Sequence, residues 1–192
     1  MTVQNILSVC IFALFVVIVL VRAAMLRRCG IRVIVFGETD KSDFILVPIV
    51  LAIAYAVLAK TFGLPIWGVL VRPFWSSEIP GWFGLALCIT AAIGMVLTLV
   101  SFGNSFRVGI DENKPDELVT SGMFAISRNP IYVCFLMFIV GLFMIHCNII
   151  IAVAVVLFVL AIHRQILREE KFLLSHYGKE YEDYRKRVRR YL

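Results

Sequence analysis

Long apolar runs separated by short polar stretches dominate the chain. The runs cover residues 6–21, 44–59, 81–102, 131–145 and 149–162. A helix needs about 20 residues to cross a hydrocarbon layer of about 30 Å. The first and third runs reach that length with their flanks. The second and fifth reach it through residues 60–62 and 163–167. The fourth is short, and only His146-Cys147-Asn148 parts it from the fifth, so the two read as a tight helical hairpin. The pattern predicts an all-α integral membrane fold with five transmembrane helices, the last two forming a C-terminal hairpin.

Composition agrees with this pattern. Of the 192 residues, 61% are apolar, against about 45–50% in soluble domains, and the mean hydropathy is +0.92. A soluble domain and a disordered chain are both excluded. Charge then orients the bundle. With five spans, residues 22–43, 103–129 and 163–192 share one side and hold 17 of the 19 Lys and Arg residues, leaving Lys60 and Arg72 opposite. The positive-inside rule predicts a multi-pass protein with its N-terminus outside and its C-terminus in the cytosol. The basic cluster Arg22, Arg27 and Arg28 follows the first run, which fits an N-out helix rather than a cleaved signal. The net charge of +6 is a mixed cytosolic surface, since 12 of the 13 acidic residues fall on that side too. Its basic end, Arg185-Lys186-Arg187-Val188-Arg189-Arg190, suits anionic lipid headgroups rather than nucleic acid.

Metal chemistry has little to stand on. Cys10, Cys29, Cys88, Cys134 and Cys147 have no metal-ligand spacing, and most sit in or beside apolar runs as small hydrophobes. His146, His163 and His176 never pair at helical spacing. Nucleotide-binding and hydrolase signatures are absent from the sequence, and no span carries an ionisable residue at its centre, as an ion pathway requires.

Polar residues collect in residues 103–129 and after His163. The first of these stretches is dense in apolar residues, which predicts a folded cap or pocket wall rather than a linker. It ends in Asn129-Pro130, an ordinary helix start: Asn129 is expected to accept from the orphan amides, and Pro130 has none to satisfy. The same helix start would also suit an anion. At the exit of the fifth run, Arg164 and Arg168 stand one turn apart and are followed by Glu169 and Glu170. Snorkelling arginines paired with glutamates account for part of this pattern. Two adjacent carboxylates at a membrane exit also suit a cation or hydroxyl groups. Farther on, Tyr177, Tyr181, Tyr184, Val188 and Tyr191 form an amphipathic stripe, interrupted at Gly178, that predicts a short tail helix.

These motifs, in order, resemble the isoprenylcysteine carboxyl methyltransferase family, in particular its compact prokaryotic members. The matching strings are Leu118-Val119-Thr120-Ser121-Gly122, then Ser127-Arg128-Asn129-Pro130-Ile131-Tyr132, an apolar hairpin, Arg168-Glu169-Glu170, and His176-Tyr177-Gly178-Lys179-Glu180-Tyr181 with Tyr184. The match runs over residues 101–192. The resemblance implies a cytosolic pocket for S-adenosylmethionine, with S-adenosylhomocysteine as product. Carried over by motif, the cofactor residues are Leu118, Val119, Phe124, Asn129, Pro130, Ile131, Tyr132, Glu169 and Glu170. Asn129 stands where relatives have His, and Gln165 where they have a substrate-contacting Arg. The flanking Arg164 and Arg168, with Glu169, are therefore the expected catalytic set.

What the resemblance implies is methylation of the carboxylate of a prenylated cysteine or similar lipophilic acid entering from the bilayer. Such an acceptor is ionised at neutral pH and requires no base. The alternatives are a lipid-amine N-methyltransferase and a non-enzymatic transporter or assembly protein. On this reading residues 1–102 are three N-terminal spans with their loops, and residues 103–192 are the catalytic part.

Overall fold

The computed structural model describes residues 2–28, 46–102 and 118–192. Among the described residues six α-helices follow one another: α1 (Val3–Arg28), α2 (Leu46–Phe62), α3 (Ile79–Phe102), α4 (Pro130–His146), α5 (Ile149–Tyr177) and α6 (Lys179–Arg187). The described parts of the connections before α3 and α4 carry the 3-10 turns Gly68–Val71 and Gly122–Ala125. Most of the polar stretch expected to form a cap, residues 103–117, lies outside the described residues.

Among the described residues, three helices are long and apolar enough to cross a membrane: Val3–Met25, Ile79–Phe102 and Ile149–Tyr177. The other two apolar helices, Leu46–Phe62 and Pro130–His146, have 17 residues each. They fall short of the expected span length by about three residues, or roughly 5 Å of rise. The fold is thus an all-helical membrane architecture.

Why these residues pack as they do is clearest along α3 and α4. Gly84 and Gly141 face one another at their crossing: a Cβ on Gly141 would stand 2.6 Å from the Gly84 carbonyl oxygen and as close to the Cys88 sulfur. Only small residues permit so near an approach, and in lipid that close van der Waals packing drives helix association. Across the bundle α1 lays Phe15 on Phe138, with ring centroids 4.1 Å apart and stacked. α2 packs on α5, and Ile53 and Val57 of α2 and Ile151 and Phe158 of α5 are all buried in the core.

The α4–α5 hairpin is as tight as the sequence predicts. Cys147 takes a left-handed conformation (φ 35°), and the side chain of Asn148 accepts from the Ile151 amide at 3.0 Å, capping α5. A polar joint fastens this end of the bundle. His146 is fully buried with Nε2 2.9 Å from the Ser8 hydroxyl, and Lys60 donates to the His146 carbonyl at 2.8 Å.

At the opposite end α5 continues past its apolar part to Tyr177, where Gly178 (φ 51°) breaks the chain before α6. α6 turns Tyr181 and Tyr184 inward, as the amphipathic pattern requires. The helix stops at Arg187, however, so Val188 and Tyr191 do not extend its stripe.

Candidate active site

The turn before α4 carries the Leu118-Val119-Thr120-Ser121-Gly122 string. Leu118 and Val119 are half-buried and lead into the 3-10 turn. Gly122 has φ 61°, and a Cβ there would meet Ser101 of α3, its own Cβ only 2.8 Å away. Both the conformation and the contact exclude a side chain. The Ser101 hydroxyl accepts from the Met123 amide at 3.2 Å, which fixes the turn to the end of α3. Phe124 is buried edge-on against Phe102, 4.8 Å between centroids, and its carbonyl accepts from the Tyr184 hydroxyl at 2.6 Å. This stretch therefore joins α3, α4 and α6.

Pro130 occupies the first turn of α4, and buried Asn129 precedes it. Asn129 corrects the expectation drawn from its position. Its side chain makes no capping bond to the helix amides. Instead its amide donates to the Arg190 carbonyl at 3.2 Å and to Glu170 Oε1 at 3.3 Å. The Nδ2 group is turned toward Glu170 of α5 and the returning tail, and that orientation carries the side chain away from the α4 amides.

Glu170 is the centre of that arrangement. Arg190 grips its carboxylate through Nε at 3.1 Å to each oxygen and through Nη2 at 2.8 Å to Oε2. Arg128 approaches to 3.4 Å from the other side. The backbone adds an Arg128 amide to Arg189 carbonyl bond at 2.9 Å and a Ser127 hydroxyl to Arg190 carbonyl bond at 3.3 Å. The paired carboxylate holds the Arg190 guanidinium pKa above its ordinary value. Burial pushes the Tyr184 phenol up to about 12, and burial followed by the Glu170 charge also raises Tyr181. Arg128 and Arg190 are the residues that sequence reasoning missed; a basic run that reads as a lipid-facing tail gives no sign that one of its members folds inward.

Glu169 points elsewhere. Successive residues on a helix are turned by about 100°, so the two carboxylates serve different neighbours. The Tyr132 hydroxyl donates to Glu169 Oε1 at 2.6 Å, and the Gln165 amide donates to the same oxygen at 3.0 Å. Arg168 donates in turn to Gln165 Oε1. Tyr132, Gln165, Arg168 and Glu169 thus form one chain of polar groups across α4 and α5.

That chain sits at one end of a lateral groove of about 740 Å³. α5 lines the groove from Ile149 to Arg168, and α2 contributes Leu46, Pro48, Ile49 and Ala52. Leu70 of the connector completes it. Arg164, Gln165 and Arg168 are its polar residues; the rest of the wall is apolar. The volume lies within the range of ordinary ligand pockets. Ile131 is half-buried against the core, and exposed His163 is hydrogen-bonded to the Tyr191 hydroxyl at 2.7 Å.

The sequence profile described as phospholipid methyltransferase matches residues 73–180. This chain belongs to that family. Among similar proteins, the "Protein-S-isoprenylcysteine O-methyltransferase B" of Arabidopsis thaliana is 32% identical over 122 residues, 62% of this chain and 60% of that protein. The "Nickel-cobalt-cadmium resistance protein NccN" of Alcaligenes xylosoxydans xylosoxydans is 31% identical over 131 residues, 64% of this chain and 61% of its own length. The "Protein-S-isoprenylcysteine O-methyltransferase" of Rattus norvegicus is 33% identical over 125 residues, 64% of this chain and 43% of that protein. The chain thus spans about three fifths of the first two and less than half of the third. The resemblance to isoprenylcysteine carboxyl methyltransferases drawn from the motifs is upheld by the family match and by the two relatives of that name. Within the family match lie α3, α4, α5 and the Tyr132–Glu169 pair. α1, α2 and Leu70 fall outside it.

Proposed function

We propose that this protein is an S-adenosylmethionine-dependent membrane methyltransferase that esterifies the carboxylate of a prenylated cysteine or a similar lipophilic acid. One observation carries the reading: Gln165 lies in the wall of the apolar groove and also donates to Glu169, which Tyr132 holds from α4. A greasy acceptor in the groove and a polar donor molecule beside Glu169 would therefore meet at one helix turn.

The donor set suits the cofactor. A carboxylate held by a phenol and an amide retains acceptor capacity for an ammonium or ribose hydroxyls. Bound S-adenosylmethionine supplies a methyl group already activated on a sulfonium. The chain's own task is then to position and to exclude water. Tyr132 and Gln165 fix the Glu169 carboxylate. Arg164 and Arg168 orient the acceptor carboxylate, and a guanidinium matches that group in two bonds. The apolar wall keeps the junction dry, which strengthens both electrostatic contacts.

Asn129 and Glu170 stand one layer back, closing the site by anchoring the tail. Leu118, Val119, Phe124, Pro130 and Ile131 shape the wall beneath it. Helices α1 to α3 serve as scaffold and α2 as one side of the acceptor groove. Five helices cross the bilayer, α2 and α4 with their ends at the interface, and the site faces the cytosol.

The test uses bilayer-reconstituted protein with methyl-labelled S-adenosylmethionine and either S-farnesylcysteine or an ethanolamine phospholipid. Base-labile label on the thioether acid is expected. Base-stable label on the ethanolamine lipid alone would move the assignment to N-methylation, and transfer to neither acceptor would remove it.

A further inference from the structure

The groove is longer than the chemistry at its polar end requires. From Ile149 to Arg168 the wall of α5 runs for roughly 28 Å at 1.5 Å per residue, with Ile149, Val153, Leu157 and Leu160 along it. From Gln165, where an acceptor head would sit, to Ile149 is about 24 Å. The hydrocarbon of one leaflet is only about 15 Å deep, half of the ~30 Å core. Charge fixes the direction, because Arg164 and Arg168 lie at one end and the remainder is apolar.

The far end is built by the connector. In the 3-10 turn Gly68–Val71, Leu70 is half-buried, whereas its neighbour Val69 is 83% exposed and Trp67 is 81% exposed. The turn is held by the Leu70 amide on the Trp67 carbonyl at 2.9 Å and packs against α5. The Tyr55 hydroxyl donates to the Pro65 carbonyl and ties the connector to α2. Leu70 is thus a fixed feature, and it lies outside the family match.

Resting on the methyltransferase reading above, we infer that the acceptor is a carboxylate on a long hydrocarbon or prenyl tail that crosses the bilayer midplane, and that Leu70 is the residue that sets the tail length. The tail lies along α5 with its head at Arg164 and Arg168 and its end against Leu70, Ile149 and Val153. Because a tail in the groove and a tail in lipid are solvated alike, selection among tails is by fit rather than by greasiness. An over-long chain meets Leu70 and must bend out of the groove.

The experiment places a diazirine at the tail end of S-alkylcysteine probes with ten-carbon and twenty-carbon chains. Each is photolysed with the full-length protein in bilayers, and the labelled residues are mapped by peptide mass spectrometry. The long probe is expected to label Leu70, Ile149 and Val153, and the short one Leu157 and Leu160, with both signals removed by excess unlabelled acid. Leu70→Trp should cut long-probe labelling of Ile149 by at least about fivefold while sparing the short probe, as overfilling a packed site does. Competable labelling of the same residues by both probes, or long-probe labelling spread without competition over the outer faces of α1 and α3, would overturn the inference. Competable groove labelling in a protein that methylates neither probe would instead leave the groove assignment standing and remove the methyltransferase reading.

Discussion

Glu169 and Glu170 are adjacent in sequence and opposite in duty. Glu170 is buried and holds two guanidiniums, so Glu170→Gln leaves Arg128 and Arg190 without their counter-charge. Breaking a buried pair in this way costs about 3 kcal/mol; the expected outcome is a lowered thermal midpoint in detergent and easier proteolysis of the tail. Glu169→Gln and Tyr132→Phe should instead leave the midpoint near wild type and weaken S-adenosylmethionine about ten- to a hundredfold, the worth of a hydrogen bond to a charged group. Calorimetric titration separates the two classes. The string Arg168-Glu169-Glu170 marks both carboxylates as special but cannot tell them apart. Their division depends on Tyr132 arriving from α4 and Arg190 from the tail, and both lie far away in sequence. Asn129 was misread for the same reason: its position is that of a cap, and its partners come from residues 61 and 41 positions away.

Elements are set by packing that periodicity reports only in part. The apolar runs reveal every long helix, and His146-Cys147-Asn148 reveals the hairpin turn. What they leave hidden is that α4, though joined to α5, makes its closest approach to α3 through Gly84 and Gly141. An all-apolar helix has no stripe to say which face meets which neighbour. Gly141→Ala would push a methyl group into the Gly84 carbonyl, so it is expected to destabilise the protein by about 1–3 kcal/mol, read as a lowered thermal midpoint. The tail is a second such element. Tyr184 ionises near 12 in the folded protein, against about 10 when exposed. Since the neutral phenol is the form that docks, its contribution is complete below pH 10 and is lost as pH rises through 12. Protection of residues 179–187 against hydrogen exchange, after division by the intrinsic hydroxide-catalysed rate, should therefore fall across that window, and Tyr184→Phe should reduce that fall while lowering protection at every pH.

The molecule as a whole has two unlike ends. One gathers the site, the tail and most basic residues. The other holds all three tryptophans, Trp67, Trp75 and Trp82, within 16 residues. Trp67 and Trp82 are exposed, and Trp75 rests edge-on against Phe143 at 5.6 Å. Exposed tryptophans at the end of an apolar bundle belong at the headgroup level. In reconstituted protein, lipids brominated near the headgroup should quench the intrinsic fluorescence more than lipids brominated near the chain ends. Charge asymmetry made this polarity legible from the sequence alone. The groove was not legible, because its walls come from α2, the connector and α5, three segments with no shared motif.

The account turns on donor and acceptor meeting beside Gln165. Ultraviolet photolabelling with S-adenosylmethionine carrying a tritiated methyl group, in bilayers, tests it most directly. Label is expected on the peptides bearing Tyr132 and Glu169, reduced by excess S-adenosylhomocysteine. Label confined to the tryptophan-bearing end of the bundle would contradict it.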